Sequence, residues 1–343
     1  MSMSVTGHLR TPEEIALNAG GDLPRLVLPQ PGVFAERALR LRQLAAGHPM
    51  RDYLLLMAVL AEAQHARLAG YPAVTLPTAA QADAASQRGE ALLDASVWPR
   101  DAVWRDEWRA LIRHALEHLP PDSPARPSVE AALSLTDEAL ETQAGRLLTG
   151  VSLGLDMALA PLVAAGLQLF FTRLVMATQA ALPGAFGYTD DEGRCPCCAS
   201  LPLASVTRVG GETEGHRYLH CTLCNAEWHM VRVKCTHCRG TGAVRFRSLE
   251  AVAAPDDAAA AKRPSIQAET CDDCGHYLKI VHMTQDVQVE PVADDLATLT
   301  LDLLVSDAGY ARHGTNLLLL FGEADTDSAD DTGEPPPAPR GPH

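Results

Sequence analysis

Aromatic residues are scarce in this 343-residue chain, at 5%. Basic charge is short as well: 28 Lys and Arg stand against 43 Asp and Glu, a net −15. That deficit excludes a nucleic-acid binder, whose affinity depends largely on cations neutralising phosphates. Long hydrophobic runs are missing too. The most apolar stretch, Val151–Leu182, is broken by Asp156, Pro161, Gln168 and Arg173, and its longest uncharged run, Met157–Thr172, has 16 residues. Spanning a bilayer takes roughly 20, so this stretch reads as buried core helix and no membrane insertion is expected. The opening residues MSMSVTGHLRTPEE lack the basic and apolar regions of a signal peptide, which predicts a cytoplasmic protein. There is no Gly-rich phosphate loop, no G-x-S-x-G elbow and no H-E-x-x-H.

What remains is a globular composition, 47% hydrophobic and 21% charged. The length suits more than one unit at about 150 residues per domain. Thr11-Pro12-Glu13-Glu14 has the form of a helix start. Helical spacing follows over Phe34–Leu44 and Asp52–Leu68, then around Gln87–Leu93, Asp101–His118 and Val129–Leu148. Gly154 and Pro161 should divide Val151–Leu182. Trp98, Trp104 and Trp108 are read as helix-packing residues. Residues 1–190 thus predict an all-α domain.

The texture changes near residue 191. Short apolar runs at Tyr218–His220, Met230–Val233 and Tyr277–Val281 alternate with Gly and Cys, as in small β-ribbons around metals. Ala251–Ala268 reads as a loose insertion. Asp294-Asp295 is expected to open a last helix, Leu296–Ala308, with Leu296, Leu299 and Leu303 on its apolar face. Capping and dipole stabilisation suffice to explain the two carboxylates. The stretch 322–343 holds six carboxylates among prolines and predicts a disordered tail. The fold class is therefore α+β multidomain: helical 1–190, metal modules at 191–230 and 231–293, a closing helix with strand or loop at 294–321, and the tail.

All nine cysteines fall between Cys195 and Cys274. Eight form four Cys-x-x-Cys pairs: Cys195/Cys198, Cys221/Cys224, Cys235/Cys238 and Cys271/Cys274. Two residues between thiolates let a tight turn aim both sulfurs at one ion, and two such turns complete a tetrahedral site. Two metal ions per chain follow, iron or zinc. Sequential pairing and an interleaved cross-brace are both open on spacing, since loop-closure entropy changes slowly with length. Gly275 and Asn225 follow their knuckles with residues suited to positive φ, Arg239 fits less well, and Ala199 is the odd one. The ninth, Cys197, is a free cysteine and the candidate redox thiol. His216, His220, His229, His237, His276 and His282 crowd the region as surface or supporting residues, because eight thiolates already suffice. Glu62-x-x-His65 lacks the second such motif that a di-iron site needs and reads as surface.

The segments FAERALRLRQLAAGHPMRDYLLLMA, APLVAAGLQLFFTRL, CPCC, YLHCTLCNAEW, RVKCTHC, CDDCGHYLKI and DDLATLTLDLLVSDAGYARHGTN together resemble the FdhE family, the formate dehydrogenase accessory proteins. The resemblance covers about residues 11–320. It implies a helical N-terminal domain and two consecutive rubredoxin-like (zinc-ribbon-like) modules. Sequential pairing then places Cys195, Cys198, Cys221 and Cys224 on one ion, and Cys235, Cys238, Cys271 and Cys274 on the other. The implied role is assembly of respiratory formate dehydrogenase through its catalytic subunit in the cytoplasm, without catalysis; a homodimer is also admitted. The family's first knuckle reads Cys-Pro-x-Cys-Gly, from which Cys197 and Ala199 depart.

Two other readings compete. A zinc-ribbon nucleic-acid binder fails on charge: residues 195–290 carry ten Lys and Arg against eleven Asp and Glu, and eight thiolates with two divalent ions bring the region to about −5. A rubredoxin-type electron carrier fits the cysteines and leaves the helical domain without a task.

Overall fold

A computed structural model describes residues 23–249 and 264–320. The helix start at Thr11, most of the 251–268 insertion and the tail lie outside the described residues. Among the described residues, seven helices precede the cysteines: α1 Val33–Leu44, α2 Arg51–Leu68, α3 Ala79–Arg88, α4 Ala102–His118, α5 Arg126–Ala132, α6 Asp137–Thr149 and α7 Ala160–Ala181. In α4, Trp104, Trp108, Leu111, Ile112 and Ala115 are buried at helical spacing, and the two indoles are core as expected. Gly166 lets α7 lie against α4, since a Cβ there would sit 2.3 Å from Trp108 Cδ1. α7 is long and apolar enough to cross a membrane, yet 78% of its most apolar window is buried inside the protein. It begins at Ala160, with Pro161 in its first turn, after a left-handed Gly154, the division the sequence predicts.

The expected helix at Gln87–Leu93 is corrected. Thr78 and Gln81 form a capping box that starts α3 earlier, and left-handed Gly89 stops it. The Val129–Leu148 pattern splits into α5 and α6, with Thr136 capping the second.

Among the described residues, the strands form one sheet: β1 Leu26–Val27, β2 Pro202–Thr207, β3 Arg217–Cys221, β4 Glu227–His229, β5 Val244–Arg247, β6 Ile266–Cys271, β7 His276–His282 and β8 Ala311–Arg312. Their order is β1-β4-β3-β2-β7-β6-β5, with β8 beside β7. Each metal ribbon is antiparallel, and a parallel pairing of β2 with β7 (Ser205 with Ile280, Val206 with Val281) joins them edge to edge. The two modules therefore share one sheet. β1, from the chain ahead of α1, pairs with β4 and covers that edge.

Three further expectations are corrected. Met230–Val233 is a turn with Val233 at φ 60°, not a strand. Ile266–Ala268 belongs to β6, not to a loose insertion. The last helix is two, α8 Pro291–Ala297 and α9 Leu299–Asp307, broken at Thr298; Leu303 is 55% exposed, and Leu301 and Val305 face inward instead.

Asp294 and Asp295 are buried inside α8, whose cap is the Glu290 side chain. Arg40 of α1 donates to Asp294 at 2.9 and 2.6 Å. Asp295 takes Lys279 at 2.9 Å, Arg312 at 2.7 Å and Asn316 at 2.9 Å. The fully buried Arg37 donates to Glu290 (3.1 Å), Gln168 (3.4 Å) and Asn225 (2.6 Å). One guanidinium thus fastens α1 to α7, the second knuckle and the start of α8.

Candidate metal centres

Each Cys-x-x-Cys turn sits at a ribbon end. The residue after its second cysteine is left-handed in all four: Ala199 (φ 59°), Asn225 (φ 59°), Arg239 (φ 66°) and Gly275 (φ 67°). That conformation returns the chain so that backbone N–H groups face sulfur. Leu223 and Cys224 donate to Cys221 Sγ at 3.4 Å, and His237 and Cys238 donate to Cys235 Sγ at 3.4 and 3.5 Å. Such bonds stabilise thiolate over thiol.

The fold gathers Cys195, Cys198, Cys221 and Cys224 into one group and Cys235, Cys238, Cys271 and Cys274 into another, with the sulfurs of each within 4.8 Å of one another. The closest pairs are Cys195–Cys224 at 3.5 Å, Cys198–Cys221 at 3.4 Å, and Cys235–Cys274 and Cys238–Cys271 both at 3.7 Å. Metal–sulfur bonds of about 2.3 Å put tetrahedral vertices about 3.8 Å apart. The second group matches that spacing and the first is slightly tighter. Disulfide sulfurs lie about 2.05 Å apart, so these pairs are not bonded. Either group can hold one ion, and with four sulfurs around it no position is left for substrate.

The two environments differ. In the first group every sulfur is buried; in the second Cys238 is exposed and Cys274 half-buried. Burial pushes Cys195, Cys221 and Cys224 well above the ordinary thiol range. At Cys198 burial acts the same way, but hydrogen bonds with Cys195, Cys221, Cys224 and Ser200 overcome it and hold the thiol well below that range. In the second group burial raises Cys235 and pushes Cys274 up to about 12, while the backbone N–H of Gly240 lowers Cys238.

Cys197 is fully buried. Burial raises its thiol, and hydrogen bonds with Cys195 and Cys224 outweigh this to leave it at about 7. Its carbonyl accepts from Leu93 N at 2.9 Å, and that of Cys198 accepts from Ala95 N at 3.0 Å. This short ladder docks the first knuckle on the helical domain.

The histidines divide. His237 and His276 stack at 3.7 Å beside Cys274, and with it form a third grouping of donor atoms. His220 is buried, its Nδ1 3.1 Å from Glu227, a partnership that spacing did not reveal. Glu62 pairs at the surface with Arg42, as a motif without a partner should. Arg37 was legible in principle, because it falls at the apolar spacing of Phe34, Ala38 and Leu41.

A helical body fused to one sheet that carries two closed four-cysteine cages defines a non-haem metal-binding protein of the double-knuckle kind. The matching family models are FdhE, N-terminal, over residues 23–183, FdhE, central domain, over 194–232, and FdhE, C-terminal domain, over 233–319. The chain belongs to the FdhE family. It is 36% identical over 308 residues to the Protein FdhE homolog of Cronobacter sakazakii, covering 88% of this chain and 93% of that one. Protein FdhE of Escherichia coli is 36% identical over 304 residues, with the same coverage. The crystal structure of the FdhE protein from Pseudomonas aeruginosa superposes with a TM-score of 0.73 at 33% identity, covering 88% of this chain and all of that one.

Proposed function

We propose that this chain serves the maturation of respiratory formate dehydrogenase by binding its catalytic subunit in the cytoplasm, as an accessory protein and not as an enzyme. Family membership across the helical, central and C-terminal segments carries the reading. The closed cages support it, since an ion surrounded by four thiolates shapes a surface or senses redox state and does not turn over a substrate. In this proposal the eight cysteines hold two ions, iron or zinc. The helical body through residue 190 and the ribbons at 191–230 and 231–293, closed by 294–321, present one composite face to the partner.

The test is complementation in an Escherichia coli strain deleted for its own Protein FdhE. This chain is expected to restore formate-dependent dye reduction and to co-purify with the tagged catalytic subunit. Cys221→Ser and Cys235→Ser should lose metal and both activities together. If the wild-type chain gives no rescue and no complex, the assignment is overturned.

The exposure of Cys238 favours a second reading for that centre alone, a rubredoxin-type electron carrier serving a reductase. Metal content and the visible spectrum of anaerobically purified protein separate the two. Two zincs eliminate electron transfer; iron with thiolate charge-transfer bands retains it.

A further inference from the structure

The sheet ends differently at its two sides. β1 covers β4 at one end, while β5 closes the other and no described strand lies beyond it. Asp272 N donates to Ala243 O at 3.0 Å, and the β5–β6 register continues from that pair to Arg245 opposite Thr270 and Arg247 opposite Ala268. Hydrogen-bonded pairs alternate with open ones along an antiparallel ladder. Arg245 and Arg247 therefore bond inward to β6, and the N–H and C=O of Val244 and Phe246 point outward. The Val244 carbonyl accepts from Arg245 Nη1 at 3.3 Å. The N–H and C=O of Phe246 meet no partner strand among the described residues. Its ring is 45% exposed and, with Arg232, Val233 and Ile280, borders an open cavity of about 290 Å³.

In a chain of net −15, this edge is basic. Side chains alternate across a strand, so Arg245 and Arg247 leave one face of β5 and Phe246 the other. Arg245 Nε comes no closer to a carboxylate than 3.8 Å, at Asp272. Arg247 lies over the Tyr310 ring at 4.9 Å and donates to its hydroxyl at 2.8 Å, with no ion pair among the described residues. Exposed Arg232, on the Phe246 side, has none among them either. The two arginines also select against a second copy of this chain. Antiparallel pairing centred on Phe246 sets Arg245 of one copy against Arg247 of the other, and like charges directly opposite are destabilising.

We propose that the free edge of β5 is a docking site for an extended acidic segment of another protein, which adds one strand to the sheet. Its backbone pairs with the outward N–H and C=O of Phe246. Carboxylates two residues apart meet Arg245 and Arg247, and the apolar residue between them lies beside Phe246 at the mouth of the cavity. Main-chain hydrogen bonds supply the affinity of such a strand, and its alternating side chains supply the specificity. No cysteine contributes to the edge, and the proposal does not depend on the accessory role above.

The full-length, metal-loaded protein is titrated with three labelled, capped peptides. They are Thr-Val-Glu-Val-Glu-Val-Thr, its counterpart with Lys for Glu, and Thr-Val-Glu-Pro-Glu-Val-Thr, whose proline removes the donor opposite Phe246. Fluorescence anisotropy gives the affinities, and amide hydrogen exchange reports on Phe246. The acidic peptide is expected to saturate, to bind about tenfold or more tighter than the other two, and to slow exchange at Phe246. Arg245→Gln with Arg247→Gln should weaken it about tenfold, roughly threefold for each exposed charge. The comparison of peptides on the native chain stands whatever that variant does to folding. Equal or tighter binding of the lysine peptide overturns the proposal. So do an indifferent proline substitution, unchanged exchange at Phe246, and failure to saturate at millimolar peptide. Two further results assign the edge to another occupant and overturn it as well. One is acidic-peptide binding gained only when the chain is shortened to remove the acidic residues 322–343. The other is a dimer in sedimentation whose formation protects Phe246.

Discussion

Ala199 holds the backbone conformation that Asn225 and Gly275 hold at the matching place in their knuckles, with φ of 59° against 59° and 67°. For a residue with a Cβ this conformation costs about 1–2 kcal/mol. Ala199→Gly is expected to stabilise the protein by about 0.5–1 kcal/mol after glycine's extra unfolded-state entropy. Thermal melts of the metal-loaded forms measure it. His313 offers a pH test. Burial lowers its pKa to about 4 from 6.5, and its Nε2 is buried without a partner. A depressed folded-state pKa means that the unfolded chain takes up the proton first, so the stability gained by keeping this ring neutral is complete above pH 6.5. It is lost as pH falls toward 4. The stability of the native protein relative to His313→Gln should therefore decline across that window, followed by urea melts at successive pH values. A flat difference would show that His313 does not titrate as stated.

At the scale of elements, the helices were legible where a cap or a break was written in one or two residues. Pro161 and Gly154 marked the start of α7, and the Trp104–Ala115 spacing marked the buried face of α4. α3 was displaced because its capping box at Thr78 and Gln81 outweighs an apolar pattern at Leu92 and Leu93, whose burial comes from the knuckle they meet. Met230–Val233 looks like a strand by composition, yet it turns the chain from one ribbon to the next. Gly166 shows what sequence leaves silent: it stands mid-helix, where glycine is unfavourable by about 1 kcal/mol, because Trp108 occupies the space of a side chain. Gly166→Ala regains that propensity but overpacks the α4–α7 contact at about 1–3 kcal/mol. A net loss near 1 kcal/mol is expected, with altered tryptophan fluorescence, in chemical denaturation.

At the scale of the whole molecule, the cages and the helices share one interior. Cys195, Cys197, Cys198, Cys221 and Cys224 belong to the same buried cluster as Leu54, Met57, Phe170 and Leu174. Lys279 and Arg312 bind the closing helices to the sheet and Arg37 binds α1 to the start of α8 through buried ion pairs, and removing one member of such a pair costs about 3–5 kcal/mol. Unfolding should therefore be concerted. Metal release into a chelator and loss of helical circular dichroism are expected to share one midpoint in denaturant; a ribbon transition well before the helical one would refute the shared core.

The four cysteine pairs and the helical first half were determined by the sequence alone. Each is a local property, set by spacing along a turn or periodicity along a helix. Which pair meets which, the joining of two ribbons by β2 and β7, and the burial of Asp294 and Asp295 were decided only by tertiary structure. They depend on contacts between segments as much as 254 residues apart. A carboxylate at a helix end and one buried against Arg40 read the same in sequence, because the cation that neutralises it arrives from another element.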